Sequence, residues 1–298
     1  MKVYIKKHSF NAGKWIYEGY KSAWDSMGYD SYFYKDLSEI NKEEEYDLMA
    51  IDADIKEDNL DVIRNSRRSY VYVQPNKFPS PWGQHPNWIT LCSDKIIDKL
   101  NNLGNVYQWC FGRVADYHYK WSNVHYIPLA YDSINYEYIE DVKYQFDVCF
   151  IGGWADNGFN EKQKIMINHF AQFKNCDIKC GLFVNRGVSP EIEMKILYNS
   201  KVAINIHDAY QRHLGFDSNE RTFKALGLTG LLVSDHVREV KKLFPDVPVS
   251  SDPVEMKDIV LELLKLEPEE VNRIKQKNRL YIRNNHTYIN RVEKLLEL

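Results

Sequence analysis

The 298-residue chain lacks any apolar run near the about 20 residues needed to span a bilayer. Its opening, MKVYIKKHSFNAG, holds no apolar core of a secretory leader, so a cytoplasmic protein is expected. There is no excess of either charge. Thirty-nine Lys and Arg face 42 Asp and Glu, a net of −3. Nothing draws the whole chain to nucleic acid or anionic lipid, which leaves only a local basic face. Five cysteines, Cys92, Cys110, Cys149, Cys176 and Cys180, are odd in number and follow no CxxC or Cys/His ligand spacing. Reduced thiols and no bound metal are therefore expected. No GxSxG, HExxH, P-loop or kinase signature occurs, and neither half carries GxGxxG after a first strand, which disfavours an NAD-type enzyme. What remains is an ordinary globular composition, 44% hydrophobic and 27% charged, of a length that suits about two domains.

Apolar runs at 3–5, 32–34, 48–51, 69–73 and 88–92 read as strands. Between the first two, Ile16, Tyr20, Ala23, Trp24 and Met27 recur at helical spacing, with Gly28 at the C-terminal cap position. A helix is predicted over 94–103. The proline-rich stretch 74–87 reads as a long functional loop. After Ile127-Pro-Leu-Ala-Tyr-Asp132 and a tyrosine-rich stretch to 145, the pattern restarts. Strands are predicted at 147–151, 178–183, 202–206 and 230–235. Helices are predicted at 161–173, with Ile165, Ile167, Phe170 and Phe173 as apolar positions, and at 190–200, 221–228, 256–266 and 268–298. Strands alternating with helices indicate an α/β protein of parallel sheets. Two Rossmann-like domains facing across a cleft are expected: 1–132, a linker 133–145, 146–275, and a final helix 276–298.

Ligands of such sheets bind outside the strand carboxyl ends. Gly152, Gly153 and Trp154 follow the first strand of the second half, where glycines let backbone amides approach an anion; a plain tight turn is the alternative. Asn205 and His207 end a strand. Arg221 and Lys224 lie three apart in the first turn of a helix after Asn219, and two cations there would be reconciled by a diphosphate. A solvated basic face neutralised by Asp217 or Glu220 is the competing explanation. In the first half, His8, Asp52, Asp54 and Asp94 stand at predicted strand ends as acid–base candidates, although Ser93 and Asp94 precede an apolar helical run and Asp94 reads rather as a helix N-cap.

Beyond these patterns, the second half resembles the CgeB-type glycosyltransferases. Asp147-Val-Cys-Phe-Ile-Gly-Gly-Trp154 is similar to their D-V-x-F-I-G-S/G-W opening, and Asn205-Ile-His207 to their L-N-I-H strand. The run 219–235 resembles N-x-R-x-F-E-A-L-x-x-G-x-x-L-L-S-D, and 286–296 resembles H-T-Y-x-x-R-x-x-x-L-L. The first half matches mainly through 127–132. The resemblance implies a GT-B fold, a nucleotide-sugar donor held by the C-terminal domain, and a last helix returning to the N-terminal one. It also implies no tightly bound cofactor and no metal requirement. The family's Glu is replaced by Lys224 here, which reverses the charge beside the donor sugar or ribose.

The expectation is then a sugar transfer from a nucleoside diphosphate, UDP most readily, to a saccharide, protein or modified DNA base. Backbone amides of Gly152, Gly153 and Trp154 would approach the phosphates. Arg221 and Lys224 would hold the leaving diphosphate. Asn205, His207, Asn219 and Thr222 would orient sugar or ribose, and 181–185, with Gly181 and Phe183, would meet the base. If the transfer inverts, His8 or Asp52 would serve as catalytic base; a retaining transfer needs no dedicated protein base. Two other readings are a transferase acting on hydroxylated DNA bases, through Arg64, Arg67, Arg68 and Lys77, and a non-catalytic sugar-nucleotide binder.

Overall fold

Short β-branched and aromatic runs, many of them followed by a helix, pair in parallel, because a crossover connection brings the next strand in with the same direction. The computed structural model describes residues 1–8, 11–75, 90–113, 118–154, 161–215 and 217–298. The chain divides into two units, residues 1–128 with 288–298, and residues 129–287.

In the first unit β1 (Lys2–Lys6), β2 (Asp30–Tyr34), β3 (Tyr46–Ile51), β4 (Arg68–Tyr72), β5 (Val106–Cys110) and β6 (Val124–Tyr126) form one sheet in the order β2-β1-β3-β4-β5-β6. Every pairing is parallel. All six residues of β3 are buried, as befits a central strand covered on both faces. Its one charge, Asp47, accepts from Arg67 Nε at 2.9 Å and Nη2 at 2.5 Å. Helix α1 (Asn11–Ser26) is followed by Gly28 at φ 85°. A short helix α2 (Leu60–Asn65) precedes β4, and α3 (Asp94–Asn101) precedes β5. Helix α11 (Tyr288–Leu296) packs on α1. Tyr288 lies over Gly19, whose added Cβ would overlap the ring, and its centroid is 5.0 Å from that of Tyr20. Buried Arg291 donates from Nε to Pro128 O at 2.7 Å.

Two expectations need correction here. Residues 90–92 form no strand, while Trp88 and Ile89 lie outside the described residues. The place beside β4 is taken by β5. That strand was hidden by Gln108, a buried polar side chain satisfied by Asn101 Oδ1 at 2.8 Å and by Asn123 N at 3.3 Å. Ser93, not Asp94, caps α3, its hydroxyl accepting from Ile96 N. The stretch 74–87 falls outside the described residues beyond Gln74 and Pro75.

The second unit holds β7 (Val148–Gly152), β8 (Cys180–Val184), β9 (Val202–Asn205) and β10 (Leu232–Ser234), in the order β10-β9-β7-β8 and parallel throughout. Around this sheet run α4 (Lys162–Ala171), α5 (Pro190–Asn199), α6 (Ala209–Leu214), α7 (Glu220–Leu228), α8 (Arg238–Leu243), α9 (Pro253–Leu264) and α10 (Pro268–Asn285). Val148, Phe150, Val202, Ile204, Met166, Met256 and Val260 meet in its core. Ile167, expected on the apolar face, is 57% exposed.

The single final helix predicted over 268–298 is two helices. His286 leaves helical geometry at φ −136°, and its carbonyl accepts from Tyr131 N at 2.8 Å. A bridge between Tyr131 and Thr287 completes the break. The tyrosine-rich stretch expected as a linker is anchored in the second unit. Tyr136 Oη donates to Glu193 Oε2 at 2.6 Å, and Asn199 Nδ2 donates to Ile139 O at 2.7 Å.

Each sheet has a point where successive crossovers part, between β1 and β3 in one unit and between β7 and β9 in the other. Loops diverge there and leave a crevice at the strand carboxyl ends. For the packing of α11, Gly19→Ala is expected to displace Tyr288 at a cost of about 1–3 kcal/mol. Thermal melting would show a drop of several degrees. Gly104→Ala, with nothing within 4 Å of its added Cβ, would melt with the wild type.

Candidate functional site

At the crevice of the second unit, β7 ends in Gly152, at φ 152°. An added Cβ there would overlap the Arg221 guanidinium, so glycine is what lets this side chain lie across the strand ends. Arg221 belongs to the first turn of α7, which Asn219 caps by accepting from Thr222 N at 3.2 Å. Its Nε donates to Ile151 O at 2.5 Å, and Nη1 donates to Asn205 Oδ1 at 2.9 Å and Ile206 O at 3.3 Å. The guanidinium carbon lies 4.9 Å from the Phe150 ring centre. These acceptors are neutral. Among the described residues no carboxylate pairs with Arg221, and burial lowers its pKa while Asp208, Glu193, Asp235 and Glu220 act from farther away. Nη2 donates to nothing among the described residues.

Two further cations converge here. Lys162, the first residue of α4, is 2% exposed and sits 3.1 Å from Asp208. Burial, helped by Arg221, pulls its pKa down to about 8. Arg212 on α6 donates from Nη1 to His207 O at 3.0 Å, and burial lowers its pKa too. Neither residue stood out in the sequence. The signal available was only that each precedes or follows a strand carboxyl end by one loop.

The expected sugar-orienting residues are enclosed instead. Asn205, His207 and Thr222 are each 0% exposed. His207 Nδ1 donates to Asp235 Oδ1 at 2.6 Å, and its backbone N donates to Oδ2 at 3.0 Å. Burial pushes the Asp235 carboxyl up, yet His207 holds it below the usual range. Asn205 Nδ2 donates to Asn219 Oδ1 at 2.9 Å and Thr222 Oγ1 at 2.8 Å. This network joins β9 to the start of α7 and so fixes Arg221. It leaves Asn205, His207 and Thr222 no open face.

The glycine turn is locked from β8. Asn185, at φ 50°, donates its backbone N to Gly152 O at 2.8 Å, and its Oδ1 accepts from Trp154 N at 3.1 Å. An added Cβ on Gly153 would collide with that oxygen. Gly181 is a packing glycine: it pairs with Cys149, and its added Cβ would meet Phe146 at 2.7 Å. Phe183 stands edge-on to the same ring, centroids 5.9 Å apart.

Arg221 and Lys224 are not brought together on one anion. The Lys224 ammonium lies 3.1 Å from Glu193 and 3.5 Å from Glu220, and 4.9 Å from the Tyr136 ring centre. Burial raises the Glu220 pKa to about 7, with Lys224 opposing it. The charge that reads as an anion clamp in sequence is spent inside the protein.

In the first unit His8 and Asp52 follow β1 and β3, the two strands of that unit's crevice. The His8 ring stacks on Tyr17 with centroids 4.6 Å apart, and its Nε2 is buried with no hydrogen-bond partner among the described residues. Burial, with Lys6 nearby, holds its pKa below the ordinary value. Asp52 is 1% exposed, and both its oxygens are engaged. Gln74 N and Nε2 each donate at 3.0 Å and Ala53 N at 2.7 Å, while burial raises its pKa to about 7. Asp54 pairs with Lys6 at 2.8 Å and Asp94 with Lys120 at 3.3 Å. The arginines expected to face DNA are occupied. Arg64 pairs with Asp61, Arg67 with Asp47, and Arg68 donates to Leu296 O at 3.0 Å. Lys77 lies outside the described residues. Among the described residues no group of three His, Cys, Asp or Glu is placed to hold a metal ion.

Comparison with solved structures gives T4 phage BGT in complex with UDP and Mn2+, at 13% identity and a TM-score of 0.56, covering 100% of both chains. T4 phage BGT with its UDP-glucose substrate matches at 12% and 0.58, over 99% of this chain and 96% of that one. The Candida albicans trehalose-6-phosphate phosphatase N-terminal domain matches at 9% and 0.54, over 88% and 72%. These likenesses show a shared fold, two parallel-sheet units of the GT-B type. No curated protein sequence matches the chain. A family profile described as glycosyl transferase-like matches residues 143–297, most of the second unit and the helix after it, and by that match the chain belongs to the glycosyl transferase-like family.

Proposed function

We propose that this glycosyltransferase takes its sugar from a nucleoside-diphosphate sugar, with UDP the favoured carrier, and that the second unit holds the donor. The carrying observation is the Arg221 guanidinium, fixed by neutral oxygens at the β7–β9 crevice, with no carboxylate partner and with Nη2 unused among the described residues. A partly buried cation without a close counter-charge is held at a cost that an anion relieves. T4 phage BGT, which shares the fold, has been solved with UDP and with UDP-glucose. The motif resemblance to CgeB-type enzymes supports the same donor class.

In this mechanism Arg221 and Lys162 take the charge that develops on the leaving diphosphate, aided by the α7 N-terminus, and no metal is required of the protein's own residues. The backbone amide of Gly153 approaches the phosphates, while Trp154 N stays on Asn185 Oδ1 and holds the turn in shape. Asn205, His207, Asn219 and Thr222 act through Arg221 as positioning residues. Lys224, balanced by Glu193 and Glu220, leaves this site untouched, so the reversed charge at that position is no sign of lost activity.

The acceptor binds on the first unit, and His8 is the catalytic base. An imidazole whose buried Nε2 has no hydrogen-bond partner among the described residues can take the proton of an acceptor hydroxyl that reaches it, whereas both oxygens of Asp52 already accept hydrogen bonds.

Calorimetric titration with UDP tests the donor site. Lys162→Met is expected to weaken binding tenfold or more, and Lys224→Met to change it less than threefold. Because the Lys162 pKa is lowered to about 8, its positive form is present below that value. UDP affinity should fall as pH rises through 8 in the wild type and lose that limb in Lys162→Met. Equal affinities in both variants would contradict the assignment.

The pH profile of transfer tests the base. The lowered His8 pKa keeps the ring neutral, so kcat/KM should hold down to pH 6.5 and fall only below it. His8→Gln should lower kcat by about 10²–10⁴-fold and remove that acidic limb.

A further inference from the structure

At the carboxyl ends of β1, β2 and β3 the first unit has a cavity of about 440 Å³ whose lining is mostly polar side chains. Four lysines reach it. Lys6 closes the end of β1, Lys35 follows β2, Lys42 lies in the loop before β3, and Lys56 follows the turn after β3. Three aspartates share the lining, Asp36, Asp54 and Asp58. Asp54 is used by Lys6 at 2.8 Å, and Lys6 also donates to Lys35 O at 2.6 Å. Asp36 is used by its own turn, accepting from Ser38 N at 2.9 Å and Ser38 Oγ at 2.6 Å. Lys35, Lys42 and Lys56 form no ion pair among the described residues.

We propose that this cavity binds the phosphate of a small phosphorylated acceptor, a sugar or polyol phosphate, and so sets the acceptor class of the transfer. The inference rests on the donor assignment above only for the word acceptor; the phosphate site stands on its own residues. Three observations carry it. The lysines come from the end of β1 and three separate loops and converge on one concavity, whereas a solvating charge run would follow one element. Ammonium groups are compact charges that suit a terminal phosphate approached from several sides. Lys6 and Asp54 both act on His8, so the cavity adjoins the proposed base. A cavity of this volume admits a monosaccharide-sized molecule. A duplex would need an extended basic face, and the arginines that could supply one in this unit are occupied.

The test uses the full chain saturated with UDP at low ionic strength, with inorganic phosphate and glycerol 3-phosphate as probes followed by calorimetry. Wild type should bind both. Lys35→Ala/Lys42→Ala/Lys56→Ala should bind them tenfold or more weakly while keeping its melting temperature and UDP affinity, since all three positions are exposed. Unchanged probe affinity in the triple variant overturns the proposal. So does displacement of the probes by UDP, which would place them at Arg221. Binding of duplex DNA, steeply salt-dependent and lost in the triple variant, with neither probe bound, also overturns it in favour of a nucleic-acid acceptor. UDP that fails to bind while the probes bind as expected removes the donor assignment and leaves the phosphate site standing.

Discussion

Everything at the β7–β9 crevice depends on how one guanidinium is held. Arg221 is gripped by Ile151 O, Asn205 Oδ1 and Ile206 O, and it lies where a side chain on Gly152 would have been. Neutral acceptors fix its direction without cancelling its charge. A carboxylate in the same place would have given a more stable apo protein and a poorer anion site. The enclosed network behind it has no open face, and its chemistry is positional. His207 and Asp235 tie β9 to the loop after β10, Asn205 and Asn219 tie β9 to α7, and Thr222 joins both. Asn185 does the same for the glycine turn from β8.

Charges elsewhere in the unit are handled differently. Lys224 is surrounded by two carboxylates and an aromatic ring, a satisfied buried cluster that binds α5, α7 and the segment carrying Tyr136 into one body. Such a cluster is costly to break and of little use to a ligand. Arg221 and Lys224 therefore show how two residues on one helix turn can have opposite fates: one looks toward strand ends, the other toward a neighbouring helix.

Much of the architecture was legible in the sequence because parallel strands buried on both faces are plain apolar runs. β1, β3, β4, β7, β9 and β10 were read that way. β5 escaped because Gln108 interrupts it, and no pattern of hydrophobicity announces a buried amide satisfied by Asn101. The break between α10 and α11 escaped because it is made by a hydrogen bond from Tyr131, more than 150 residues away, and not by a local breaker. At the site, Gly152 and Asn205 were legible as glycine and polar positions at strand ends, and Arg221 as a cation in the first turn of a helix. Their partition into one partly exposed cation and several buried supports was not, since burial follows from tertiary packing. Lys162 was hidden by a helix pattern in which a lysine reads as solvent-facing.

The most direct measurement is a crystal structure of the complex with UDP. The account predicts a diphosphate oxygen within about 2.7–2.9 Å of Arg221 Nη2, with the Lys162 ammonium turned to the same group. A diphosphate bound elsewhere, with Arg221 Nη2 facing only water at saturating UDP, would contradict it.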